Sequence, residues 1–189
     1  MASLETRTAT KELREVQEHI EVIQRMAHSV YNTLGCGYDE IIYKEALMVE
    51  LRNAHISYER ERYVPILYGP RVIGTGKADI VVIPTEGLSV PIECKKTLLK
   101  EDDRQQLRTY MKGMGNDCEH GILIRFPQPG THKSEKIDPP EFYWARKDRE
   151  GNVEFYRHAD NAWIPDENKQ ERKLRRKTGG KTSAQESAG

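Results

Sequence analysis

The chain is poor in the features that mark secreted, membrane-embedded and zinc-bound proteins. It has three cysteines, Cys36, Cys94 and Cys118, an odd and scattered set. That argues against a disulfide framework and for a reducing, intracellular setting. No Cys-x-x-Cys pair or histidine cluster offers a zinc site. The longest unbroken aliphatic run, Ile80–Ile83, is far short of a membrane span. The first residues, MASLETRTATKELREV, carry charges where a signal peptide needs an apolar stretch. Net charge is also missing: 30 Lys and Arg balance 30 Asp and Glu. Global charge is therefore silent about a nucleic-acid partner, and only local clustering can speak.

The 189 residues suit one domain with appendages, and 37% hydrophobic against 32% charged residues is ordinary for a globular chain. Residues 1–11 lack periodicity and are expected to be a flexible lead-in. From Glu12 to Leu34, Ile20, Ile23, Ala27, Val30 and Leu34 recur at helical spacing, and Gly35-Cys36-Gly37 ends the run. A second helix is predicted from Asp39 to about Asn53, with Asp39 as N-cap or first-turn acid and a broad apolar face. Strands are predicted over Arg62–Tyr68, Arg71–Ile83 and Ser89–Thr97, with a turn at Gly69-Pro70. Glu101-Asp102-Asp103 opens a third helix with the stripe Leu107, Tyr110, Met111 and Met114. His120–Phe126 reads as a buried strand, parallel to its neighbour because a helical crossover precedes it.

The order helix, three strands, helix, strand is an α/β core spanning residues 12–126. Residues 127–164 form an extension: a surface loop to Pro140, then a hairpin of Glu141–Arg146 with Asn152–His158 that either joins the sheet or caps it. Residues 165–189 have almost no apolar side chains and include RKLRRK, Arg172–Lys177. This tail is expected to be disordered. It is a solvated end, a non-specific nucleic-acid arm, or a nuclear localisation signal.

The chemistry concentrates in Gly74–Lys96, GTGKADIVVIPTEGLSVPIECKK. Strand alternation puts Glu93 and Lys95 on one face and Ile92 and Cys94 on the other. Pairing roughly symmetric about the short Pro84–Ser89 loop brings Asp79 close to Glu93. Two carboxylates and a lysine on a largely apolar sheet are costly unless neutralised, and a divalent cation would do so.

These residues carry a family resemblance. Gly37-Tyr38-Asp39-Glu40-Ile41-Ile42-Tyr43 fits the Gly-x-x-Glu-x-x-Tyr pattern of the GxxExxY proteins, which resemble the PD-(D/E)xK nuclease superfamily. The likeness runs from Val22 to Phe126. It takes in Gly76-x-Ala78-Asp79, Ile92-Glu93-x-Lys95, Gln106-Leu107-x-x-Tyr110 and Gly121–Phe126. It implies a restriction-endonuclease-like αβββαβ core with a mixed central sheet flanked by helices, which the pattern already suggests. By the same resemblance Asp79, Glu93 and Glu40 are metal-binding acids, Lys95 is the catalytic lysine, and Gln106 is a polar residue facing the same pocket. Carboxylate oxygens suit Mg²⁺, with Mn²⁺ as a substitute. The implied activity is hydrolysis of phosphodiester bonds in nucleic acid, DNA before RNA, by an enzyme that sometimes acts as a homodimer. Lys96 stands where the family often has a small residue.

Blander roles compete with each assignment. Glu93 and Lys95 can be a solvated pair on an edge strand, worth about 0–1 kcal/mol. Asp79 can pair with Lys77 or Arg71, and Glu40 can simply favour the helix dipole. Tyr43 suits core packing, Cys94 a buried hydrophobe, and Gln106 an exposed helix position. Lys96 is either solvated or set against a nucleic-acid backbone. At the level of function, the rival to a nuclease is a catalytically weak module of the same fold that binds nucleic acid or a protein.

Overall fold

A computed structural model describes residues 4–85, 87–129, 138–148, 150–159 and 162–166, with side chains from residue 14 onward. Helix α1 (Leu4–Leu34) and helix α2 (Glu40–Asn53) precede three strands, β1 (Ser57–Tyr68), β2 (Arg71–Ile83) and β3 (Val90–Lys95). Helix α3 (Glu101–Gly113) leads to β4 (His120–Arg125), and β5 (Glu141–Lys147), β6 (Val153–Ala159) and β7 (Ala162–Pro165) follow. The seven strands form one sheet in sequence order. Every pairing is antiparallel except β3 with β4, which is parallel, as the helical crossover requires. This is the restriction-endonuclease-like α/β architecture.

The apolar stripes decide the layering. Ile20, Ile23, Ala27 and Val30 of α1 join Leu47 and Leu51 of α2 against Ile80, Val82, Ile92, Cys94, Ile122 and Ile124. The opposite sheet face takes Leu107 and Met111 of α3 on Leu123, Ala145 and Phe155. Central strands β3 and β4 are thus covered on both sides, which is why they read as unbroken apolar runs. Gly35 (φ +71) ends α1 with its N–H donating to the Tyr31 carbonyl at 2.7 Å. Helix α2 ends in a Schellman arrangement: His55 (φ +56) donates to the Arg52 carbonyl and Ile56 to that of Leu51.

Several expectations need correction. Helix α1 begins at Leu4, so most of the expected flexible lead-in is helical; its residues have no apolar period to announce it. Strand β1 starts at Ser57 rather than Arg62. Of the two placements expected for the hairpin, the first holds without correction: β5–β6 joins the sheet through β4. The boundary of the tail at residue 165 also falls too early. Strand β7 includes Pro165, and Asp166 is tied down by its N–H on the Phe155 carbonyl and by an ion pair with Arg104. The Arg104 guanidinium lies over the Tyr143 and Phe155 rings at 5.0 and 4.8 Å, which fixes this strap to α3. The basic run Arg172–Lys177 lies outside the described residues. Among the described residues no helix is long and apolar enough to cross a membrane.

Candidate functional site

The site sits where two strands part. Strand β2 pairs with β3 only from Ile80–Ile92 to Val82–Val90. Beyond Ile80 the ladder stops, and Asp79 and Glu93 face each other across the opening. Carboxylates take over the backbone groups that the ladder abandons. The Asp79 N–H donates to Glu93 Oε1 at 3.3 Å, and the Cys94 N–H donates to Asp79 Oδ2 at 3.4 Å. Buried amides seldom go without a partner, so these bonds hold the two acids side by side.

A backbone irregularity accompanies the fork. Ala78 packs on the α3 side of the sheet with Val64 and Tyr110, whereas Ile80 packs on the α1–α2 side. Side-chain alternation therefore breaks at Asp79. On β1 the break is matched by Glu61, which has φ +53 between the pairs Arg60–Ile80 and Arg62–Ala78. A left-handed non-glycine residue costs on the order of 1 kcal/mol. Its effect here is to turn Asp79 out of regular alternation at the mouth of the fork.

The acids differ in environment. Glu93 is 1% exposed and lies on a central strand, which overturns the solvated edge-strand alternative. Burial, and then the neighbouring Asp79 charge, push its pKa up to about 8 despite the opposing Lys95. Lys95 Nζ is 3.6 Å from Glu93 Oε2 and 3.9 Å from Asp103 Oδ1. It donates to Gln106 Oε1 at 3.2 Å, Gln106 Nε2 donates to the Tyr110 hydroxyl at 2.9 Å, and that hydroxyl donates to the Lys77 carbonyl at 3.0 Å. The final acceptor is a carbonyl, so Tyr110 must donate to it, and the amide is then oriented with its oxygen toward Lys95. Gln106 is thereby a partner of Lys95, not an exposed helix polar.

Glu40 arrives from α2 through Lys44, one helical turn on. Lys44 Nζ is 2.9 Å from Glu40 Oε1 and 2.8 Å from Asp79 Oδ1. Burial works against the Lys44 ammonium, but its hydrogen bonds to Asp79 and Glu40 outweigh that and raise its pKa above the usual lysine range. Asp79 is paired with Lys44, then, and Lys77 pairs instead with Glu61 at 3.2 Å. Tyr43 takes the core role: it is fully buried and stacked on Phe126, centroids 4.7 Å apart, with its hydroxyl donating to the Gly35 carbonyl at 2.9 Å. Gln128 accepts from the Gly37 N–H at 2.8 Å and donates to the Tyr43 hydroxyl at 3.3 Å, which pins the loop that presents α2. Cys94 is buried on the far face, and burial raises its thiol pKa well out of reach of ionisation. Lys96 reaches Asp39 at 2.6 Å and so ties β3 to the start of α2.

The structure thus brings Asp79, Glu93, Lys95 and Gln106 together directly and Glu40 by way of Lys44. Sequence reasoning missed Lys44, whose signal was its place four residues after Glu40, and Asp103, one of three acids opening α3. It also missed Gln128, which no local pattern marks. The donors are all hard oxygens, and an acid with its pKa held up by burial and by a like charge marks under-compensated negative charge. Both features fit a hard divalent ion. As the side chains stand, Glu40 and Asp79 are drawn onto Lys44, and among the described residues no group of three His, Cys, Asp or Glu side chains is arranged to hold a metal.

No curated protein and no solved structure matches the chain. The family model that does match is that of the PD-(D/E)XK nuclease superfamily, over residues 17–137. That stretch covers well over half of the chain and contains the whole fork, and the chain accordingly belongs to the PD-(D/E)XK nuclease superfamily.

Proposed function

We propose that the protein is a metal-dependent nuclease that hydrolyses phosphodiester bonds in DNA. The observation that carries this reading is the fork itself, with Asp79 and Glu93 side by side and Lys95 against Glu93. Asp79 and Glu93 would hold Mg²⁺ or Mn²⁺, with Glu40 as the third acid. When bound, such an ion lowers the pKa of a water molecule and offsets charge on the phosphate. Lys95 works beside it as a fixed donor. Its ammonium orients the attacking water or meets the developing negative charge on the phosphoryl oxygens. Gln106 aims that ammonium, and Tyr110 fixes Gln106. Holding the donor in place before reaction removes reorganisation from the barrier. The buried floor of Ile92, Cys94 and Ile124 excludes water from behind the acids and strengthens each interaction in front.

The test is calorimetric titration of Mg²⁺ and Mn²⁺ into the wild type and Asp79→Ala, with plasmid and single-stranded DNA cleavage in parallel. Asp79→Ala is expected to lose metal binding and at least about 100-fold in cleavage rate. A wild type that binds no metal with or without DNA, and cuts neither substrate, would refute the reading. The acid cluster would then be structural and the fold a binding module.

A further inference from the structure

Lys44 is a cation already seated among the acids. Its ammonium contacts one oxygen each of Glu40 on helix α2 and Asp79 on strand β2. The three side chains are shielded but not sealed, at 16%, 30% and 20% exposed for Lys44, Glu40 and Asp79. Solvent ions can reach them. Acids outnumber ammonium groups in these pairs: Glu40 and Asp79 share Lys44, and Glu93 and Asp103 share Lys95. A doubly charged ion placed between Glu40 and Asp79 would gain more than a single ammonium does, because Coulomb energy scales with charge at a given distance. Asp79 Oδ1 cannot serve both cations at full strength.

We propose that Lys44 is the resident counter-ion of the Asp79–Glu40 pair, and that a divalent cation takes Asp79 only by displacing the Lys44 ammonium, so that Lys44 sets the metal affinity of the site. This rests on the assignment of Asp79 as a metal ligand and adds a residue that assignment does not include. Lys44 then has two linked effects. It neutralises the acids of the metal-free protein, and it weakens binding of the ion that replaces it. The released ammonium stays on the helix beside the site, where a polyanionic substrate would stabilise it. Metal binding and substrate binding should therefore favour each other through Lys44.

The experiment is Mn²⁺ titration, followed by calorimetry and by the electron-spin signal of free Mn²⁺, on the wild type, Lys44→Met, Lys44→Arg and Asp79→Asn. Lys44→Met should bind Mn²⁺ at least about tenfold more tightly than wild type. Its metal-free melting temperature should fall and be restored by saturating Mn²⁺. Lys44→Arg keeps the charge and should stay within a few-fold of wild type. Lys44→Gln, which keeps a donor for Asp79 without the charge, covers the case in which Lys44→Met does not fold. It too should bind more tightly. Equal or weaker Mn²⁺ binding by both neutral variants, with wild-type binding abolished in Asp79→Asn, overturns the role of Lys44 and leaves the metal site standing. No Mn²⁺ binding by wild type or by either neutral variant overturns both. Binding by the neutral variants alone supports displacement in its strongest form.

Discussion

His120 provides a measurable test of the packing beneath the site. It begins β4, is 5% exposed, and accepts the Trp144 indole N–H on Nδ1 at 3.2 Å. An acceptor Nδ1 means that the neutral ring carries its proton on Nε2. Protonation would set a donor against a donor inside the core. Burial, reinforced by Arg146, lowers the pKa from 6.5 to about 4. The sign follows from proton uptake. Between these values the unfolded chain binds a proton that the folded chain refuses, so stability is intact above pH 6.5 and is lost as pH falls toward 4. Each pH unit within that window is worth about 1.4 kcal/mol. Integrated from about pH 7.5 to 4.5, His120 alone accounts for a loss on the order of 2–3 kcal/mol. Carboxylates also contribute over this range, so the quantity to measure is the difference from His120→Asn, whose Oδ1 can take the indole N–H without titrating. Urea denaturation of both proteins at the two pH values should show the wild type losing roughly 2–3 kcal/mol more than the variant. A difference below about 0.5 kcal/mol would mean that the folded chain protonates the ring as readily as the unfolded one, and would refute the burial of His120 as a neutral acceptor of the Trp144 N–H.

Two further substitutions probe the backbone that carries the site. His55→Gly relieves the left-handed residue at the end of α2 and should raise stability by about 0.5–1 kcal/mol in urea denaturation; a lower stability would refute the Schellman assignment. A Cβ at Gly76 would lie 2.4 Å from Tyr110 Cε1, so Gly76→Ala should cost about 1–3 kcal/mol and loosen the Tyr110–Gln106 hold on Lys95. Gly74→Ala is its control, since the nearest atom is 3.9 Å away, and it should stay within about 0.5 kcal/mol of wild type in thermal melts.

What could be read from the chain was whatever local spacing determines. Strand alternation fixes which of Ile92, Glu93, Cys94 and Lys95 share a face. A short connection limits register to within a residue or so of symmetry about the loop; the observed pairs are Ile80 with Ile92 and Val82 with Val90, and Asp79 with Glu93 is the next step. The buried stripes of α1 and α3 follow from the helical period. Features that depend on meeting a distant segment were not legible. Lys44 reads as an ordinary exposed helix lysine until β2 brings Asp79 to it. Glu61 has none of the glycine or asparagine signature of a left-handed residue. Strand β7 has four residues, too few to show a period, and is held instead by Asp166 on Arg104. The start of α1 has no apolar stripe.

The fork explains why site and fold could be inferred together from so short a stretch. A continuous β2–β3 ladder would satisfy the amides of Asp79 and Cys94 with backbone carbonyls and leave two carboxylates buried without cause. Because the ladder stops at Ile80, those amides need acceptors, and the acids supply them. The bonds lower the cost of burying Asp79 and Glu93 without cancelling their charge. The charge that remains is shared unequally. Lys95 is aimed by a neutral amide, Gln106, which Tyr110 fixes in turn, while Lys44 is held by the two carboxylates that it neutralises, Glu40 and Asp79. A cation aimed by a neutral amide keeps that partner when a metal ion takes the carboxylates, and one held by those same carboxylates has to give them up. The two lysines of this site therefore differ in kind, and that difference is what the Mn²⁺ titration of the Lys44 variants measures.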